Sequence, residues 1–177
     1  MSGTTTNVWA MGANEGYQLA QLNIALPVEP VTSPRLAEFM ALLEPVNAVA
    51  DAAPGFVWRL QTEDGDATSI RAFGDDSLIV NMSVWESLES LAEFVFRGFH
   101  AEVMRRRREW FALLREPYTV AWWVAEGVRP TIADAEERLA ALREHGPTPH
   151  AFTMRRAFAP PGGSTAAHTD DDWFCPA

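Results

Sequence analysis

Lysine is absent from this 177-residue chain, and all fourteen of its cationic side chains are arginine. Without lysine there is no Schiff-base nucleophile. Nor is there a phosphate-binding P-loop, whose lysine must reach the phosphates. Cysteine is almost absent: Cys175 stands alone near the C-terminus. One thiol makes no internal disulfide and no cysteine-rich zinc site. No apolar run approaches the roughly 18 residues of a transmembrane helix. The first residues carry neither a basic start nor an apolar stretch of signal-peptide length. Positive charge is also scarce. A net charge of −10 opposes nucleic-acid binding and docking on anionic lipid. No H-x-x-x-H, H-E-x-x-H or paired-carboxylate spacing marks a metal site. These absences lead us to expect a soluble, cytoplasmic protein without metal.

What is present suits one domain with a sizeable core, since 47% of the residues are hydrophobic. Residues 1–16 are rich in Ser, Thr, Gly and Asn and are expected as a flexible leader. The domain is expected over residues 17–158, and residues 159–177 as a Pro/Gly-rich acidic tail. The alternation of Leu22, Ile24 and Leu26 with Gln21, Asn23 and Ala25 predicts a strand. Thr32-Ser33-Pro34 predicts a helix start, the helix running to about Ala52 with Pro45 interrupting it. Phe56–Leu60 predicts a strand, with Thr68–Phe73 continuing a hairpin. Ser77–Trp85 is the clearest strand: Leu78, Val80, Met82 and Val84 form an apolar face, while Ile79, Asn81, Ser83 and Trp85 form a mixed one. Ser87 is expected to cap a long helix ended by Pro117, with Glu89 and Glu93 near its start and Arg105–Arg108 near its end, as the dipole favours. A strand at Tyr118–Ala125, a helix at Pro130–Glu144 and a short strand at Ala151–Phe158 complete the order.

That order is the split β-α-β arrangement of an α+β, ferredoxin-like antiparallel sheet with helices on one face. The apolar face should pack on those helices. The mixed face is then expected to be left over, and a homodimer, sheet against sheet, is the economical cover.

The segment VNMSVWESLESLAEFVFRGFHAEVMRRRREWF resembles the strand–helix signature of small dimeric α/β-barrel proteins, with Trp85, Ser87, Glu89 and Leu91 leading into a helix that carries a histidine. AQLNIA, PGFVWRLQ, AWWV and HGPTPHAFTMRR add a resemblance to an uncharacterised bacterial family of domain-of-unknown-function type over residues 17–160. More distantly the chain is similar to the antibiotic-biosynthesis monooxygenase superfamily. That superfamily spans haem enzymes, cofactor-free oxygenases, isomerases and proteins without known activity, so the likeness implies fold more than reaction.

His100 is the principal candidate. On a continuous helix its same-face neighbours are Glu93, Phe96, Met104, Arg107 and Phe111, and an imidazole there can serve as a base near neutral pH. The alternative is an axial ligand to haem, which related barrels hold between helix and sheet. A third reading is a boundary histidine with one hydrogen bond. Gln21, Asn23, Asn81 and Ser83 on the mixed face either orient substrate and stabilise an oxyanion or bond across a dimer. Arg59 is a carboxylate clamp or a salt-bridge partner. Trp58, Trp85 and Trp122 either line a pocket for a planar aromatic substrate or pack the core. The expected function is therefore a small-molecule tailoring enzyme without cofactor, acting on an aromatic or polyketide-like substrate as a monooxygenase, cyclase or isomerase. In it His100, Asn81 and Arg59 are catalytic, and Asn23, Gln21, Ser83, Trp58, Trp85, Phe96, Met104 and Trp122 bind substrate. A haem-binding barrel and a non-catalytic dimeric module are the alternatives.

Overall fold

The computed structural model describes residues 16–63, 65–163 and 168–169. The leader lies outside them but for Gly16, as does the tail beyond Gly163 but for His168 and Thr169. Four strands form an antiparallel sheet: β1 (Tyr17–Ala25), β2 (Phe56–Arg59), β3 (Ile79–Trp85) and β4 (Thr119–Ala125), in the order β2-β3-β1-β4. With α1 (Ala37–Asp51) after β1 and α2 (Leu88–Phe96) after β3, this is the ferredoxin-like order. The central pairing aligns Gln21 with Ser83 and Asn23 with Asn81.

Alternation along β1, β3 and β4 divides the side chains between two faces. Ala20, Leu22, Ile24, Val80, Met82, Val84, Val120 and Trp122 share the apolar one. It is covered by α4 (Ile132–His145), through Ala135, Leu139 and Leu142. The loop from Leu60 to Leu78 closes over the same side: Ala72 and Leu78 join its core, and the backbone N–H of Phe73 donates to Glu136 on α4 at 2.5 Å. Thr131 caps α4 in a reciprocal capping box with Asp134.

The mixed face departs from the expectation that it is left bare. Leu91 of α2 packs there with Leu19, Trp85 and Ala121. Val46, Asn47 and Ala50 of α1 stand over Gln21, Asn81 and Ser83. Both faces are therefore covered within one chain, and the expectation of a homodimer loses the bare face on which it stood. The reason is a helix the ferredoxin-like order does not contain. Because α4 takes the apolar face, α1 and α2 take the mixed one.

Three local expectations are also corrected. The long helix after Ser87 is broken. Ser87 accepts from the Ser90 backbone N–H, but α2 ends at Phe96, Arg97 is extended, and α3 (Gly98–Arg105) starts afresh at Gly98 with φ 63°. A positive φ costs glycine almost nothing, so the chain turns there. Residues 68–73 form no hairpin strand, because Asp66 accepts from both the backbone and the hydroxyl of Thr68 and folds the loop on itself. The stretch Ala151–Phe158 is strand-paired only at β5 (Arg156–Ala157), with β6 (His168–Thr169), and Phe152 bridges to Ala121 at the sheet edge. Pro45, by contrast, sits within α1 without ending it.

Leu139→Ala should cost about 2–5 kcal/mol, because its side chain is fully enclosed under the sheet. Leu113→Ala should stay within about 0.5 kcal/mol, its side chain being 81% exposed. Urea denaturation of the two variants checks the difference.

Candidate functional site between the mixed sheet face and the helices

Trp85 is the centre of the mixed face. Its ring is fully buried, stacked on Phe94 of α2 at 5.1 Å and met edge-on by Phe56 of β2 at 5.3 Å. A buried indole N–H needs an acceptor. Ser83, two residues back and hence on the same side of the strand, supplies it at 2.9 Å. The Ser83 hydroxyl donates in turn to Gln21 Oε1 at 3.3 Å, and Gln21 Nε2 donates to Asn23 Oδ1 at 3.4 Å. Four strand positions thus carry one chain of three bonds, all donating in the same direction. It runs from the sealed end of the face to an open end, where Asn23 is half-buried and its cross-strand neighbour Asn81 is exposed.

His100 stands on the opposite wall. Its ring lies 4.5 Å from that of Phe94, and its Nδ1–H donates to the Val95 carbonyl at 3.1 Å. A carbonyl only accepts, so the proton sits on Nδ1 and Nε2 is the basic nitrogen. Burial lowers the imidazole pKa from its ordinary 6.5, and the bond to Val95 raises it in part. The ring is therefore chiefly neutral at pH 7.

Between these walls lies a cavity of about 40 Å³ touching Gln21, Asn81, Ser83, Trp85, Arg59 and His100. A water needs roughly 10–15 Å³ on this measure, so the space suits a few waters or one edge of a larger molecule. It does not fit a haem, whose whole plate would have to lie beside His100. Among the described residues no group of three or more His, Cys, Asp or Glu could hold a metal ion. Arg59 reaches the cavity but its guanidinium is committed. It donates to both Asp51 oxygens, at 2.8 and 3.2 Å, and to the Gly65 carbonyl at 2.7 Å.

The remaining candidates lie elsewhere. Trp58 and Trp122 belong to the apolar face. Phe96 and Met104 do not border the cavity. The four-residue spacing of an unbroken helix sets both beside His100; the break at Arg97–Gly98 removes that spacing for Phe96, while Met104 keeps it on α3 with an exposed side chain that stays off the cavity. Phe94, missed by the same reasoning, is brought against His100 by the same break. Val46, Asn47, Ala50, Leu91 and Val95 were also missed, because no local pattern brings α1 and α2 over the mixed face.

The cover is tethered at the other end of α1. Arg106, just past α3, bonds both oxygens of Glu38 at 2.7 Å and both of Glu109 at 3.0 and 2.8 Å. Its guanidinium lies 4.9 Å over Trp110. The Arg106 bonds hold the Glu38 and Glu109 carboxyls below their ordinary pKa.

Fold and site together define an α+β protein of ferredoxin-like topology with a polar, helix-covered cavity on one face of its sheet. The chain belongs to the family described as domain of unknown function DUF3291, whose model matches residues 18–168. No curated protein matches it. Among solved structures it is similar to SnoaB, a cofactor-independent oxygenase from Streptomyces nogalater, at 16% identity and TM-score 0.42, over 65% of this chain and 96% of that one. It is also similar to PA3566 from Pseudomonas aeruginosa, at 10% identity and TM-score 0.41, over 67% and 98%. A protein of Chloroflexus aurantiacus, described as a putative antibiotic biosynthesis monooxygenase, is similar at 16% identity and TM-score 0.39, over 65% and 98%. Likenesses this distant do not bear on the chemistry of the site.

Two outcomes follow from this geometry. Because the folded His100 pKa lies below its unfolded value, the unfolded chain binds more protons in the interval between them. Stability contributed by the neutral ring is then complete above about pH 6.5 and falls as pH drops through that interval. Thermal melts between pH 7.5 and 5 should show this slope reduced in His100→Gln. Ser83→Ala, which strips the Trp85 indole of its acceptor, should cost about 1–3 kcal/mol in urea denaturation.

Proposed function

We propose that this chain is a small-molecule enzyme in which His100 takes a proton from a hydrophobic, hydroxyl-bearing substrate at the mixed face of the sheet. The carrying observation is the fixed imidazole: Nδ1 is held by the Val95 carbonyl, Nε2 is left basic, and the ring borders the same cavity as Asn81, Ser83 and Gln21. A general base must be unprotonated at the working pH and in reach of its proton, with a pKa near that pH serving best.

The size of the cavity shapes the reading. Only the reacting edge of a substrate enters it. The rest lies along the open end, where Asn23 and Asn81 offer amide donors to substrate oxygens, and under Val46 of α1, which is only half-buried. Charge developing on an oxygen there meets N–H groups at the end of the aligned bond chain, an arrangement that stabilises an oxyanion. The step assigned to the protein is deprotonation and retention of the anion. That step opens oxygenation, cyclisation and isomerisation alike.

The test uses 1-naphthol as an acidic planar probe. At pH 7.5 its ultraviolet spectrum should shift toward the naphtholate on binding to the wild-type protein, and should not in His100→Ala. An equal shift in the variant, or no binding by either, contradicts the proposal. For whichever substrate turns over, His100→Ala should lower kcat by about 10²–10⁴, and Asn81→Ala should lower it less.

A further inference from the structure

A second cavity lies on the other side of the sheet, at the end from which β4 leads into α4. It measures about 130 Å³ and is bordered by Gln18, Val57, Trp58, Val84, Val128 and Arg129. We propose that it binds a small aromatic carboxylate, one ring with one acidic group. The proposal is independent of the reading of His100.

Three observations carry it. The size matches: a cavity of roughly 150 Å³ accepts a benzene ring. The walls match too. Trp58 offers an aromatic side chain, and three valines make up the apolar part of the lining. The third is the sign of the polar groups. Gln18 Oε1 accepts from the Gly127 N–H at 3.3 Å, so what the side chain has left to offer is its amide N–H. The exposed Arg129 makes no hydrogen bond or ion pair with any described residue, and no carboxylate of the described residues borders the cavity. An apolar cleft whose uncommitted polar groups are all donors, one of them permanently charged, is complementary to an anion with an apolar body. A neutral arene would leave the guanidinium unused. A phosphate or sulfate would leave the tryptophan and valines unfilled.

The experiment is a ¹H–¹⁵N NMR titration of the full chain with benzoate, and with benzamide as the uncharged analogue of the same shape. Benzoate should produce saturable shifts at the amides of Gly127, Val128 and Arg129 and at the Trp58 indole N–H. Benzamide should bind more weakly. Arg129→Gln should weaken benzoate about fivefold and leave benzamide unchanged. Val128 is 49% exposed, so Val128→Trp can fill the cavity without disturbing the core, and it should abolish both titrations. The proposal is overturned by benzoate shifts centred on Asn81, Ser83 and His100, by equal affinities for the two probes, by undiminished binding to Val128→Trp, or by no saturable shift at all.

Discussion

The indole of Trp85 must be buried and hydrogen-bonded at once, and much of the mixed face follows from that pair of demands. Its ring anchors α2 to β3 through Phe94. Its N–H obliges Ser83 to be polar within a strand otherwise built to bury. Ser83 then draws Gln21, and Gln21 draws Asn23, so one buried donor sets a row of polar side chains across two strands. Such a row is stable only where each member is satisfied. Here the row is satisfied inward and ends outward in free amide donors.

The helix break supplies the other half of the site. Six residues separate Phe94 from His100. On a continuous helix they would stand about 120° apart and face different surroundings. The extended Arg97 and the positive φ of Gly98 reset the direction, and both rings come to the same cavity. The bonds from Arg106 to Glu38 then fasten the segment after α3 to α1. Exposed ion pairs are individually weak, but this one closes the cover at the end away from the sheet contacts.

Much of this was legible in the sequence. The alternation from Gln21 in β1 and along β3 separated the apolar side chains from Gln21, Asn23, Asn81, Ser83 and Trp85, because a period of two has one solution once one face is apolar. Ser87 and Thr131 marked helix starts through local hydrogen bonding, and the strand order followed from the sequence of patterns. What escaped notice depended on partners distant in the chain. Nothing near Arg59 announces Asp51, and nothing in β3 says that α4 will claim its apolar side and leave the mixed side to α1 and α2. Gly98 was the one local warning that the long helix would not run straight. Val95 and Phe99, which continue the helical stripe on either side, concealed it.

The absence of lysine gains meaning in this frame. The cavity beside His100 holds one cation, Arg59, and that cation is spent on Asp51 and Gly65. Proton transfer in this space therefore rests on the imidazole. The most direct test is the ¹⁵N shift of the His100 ring nitrogens at pH 7.5. The account predicts a protonated Nδ1 and an unprotonated Nε2, with the ring titrating below 6.5. A proton on Nε2, or a ring that titrates at or above 6.5, would contradict it.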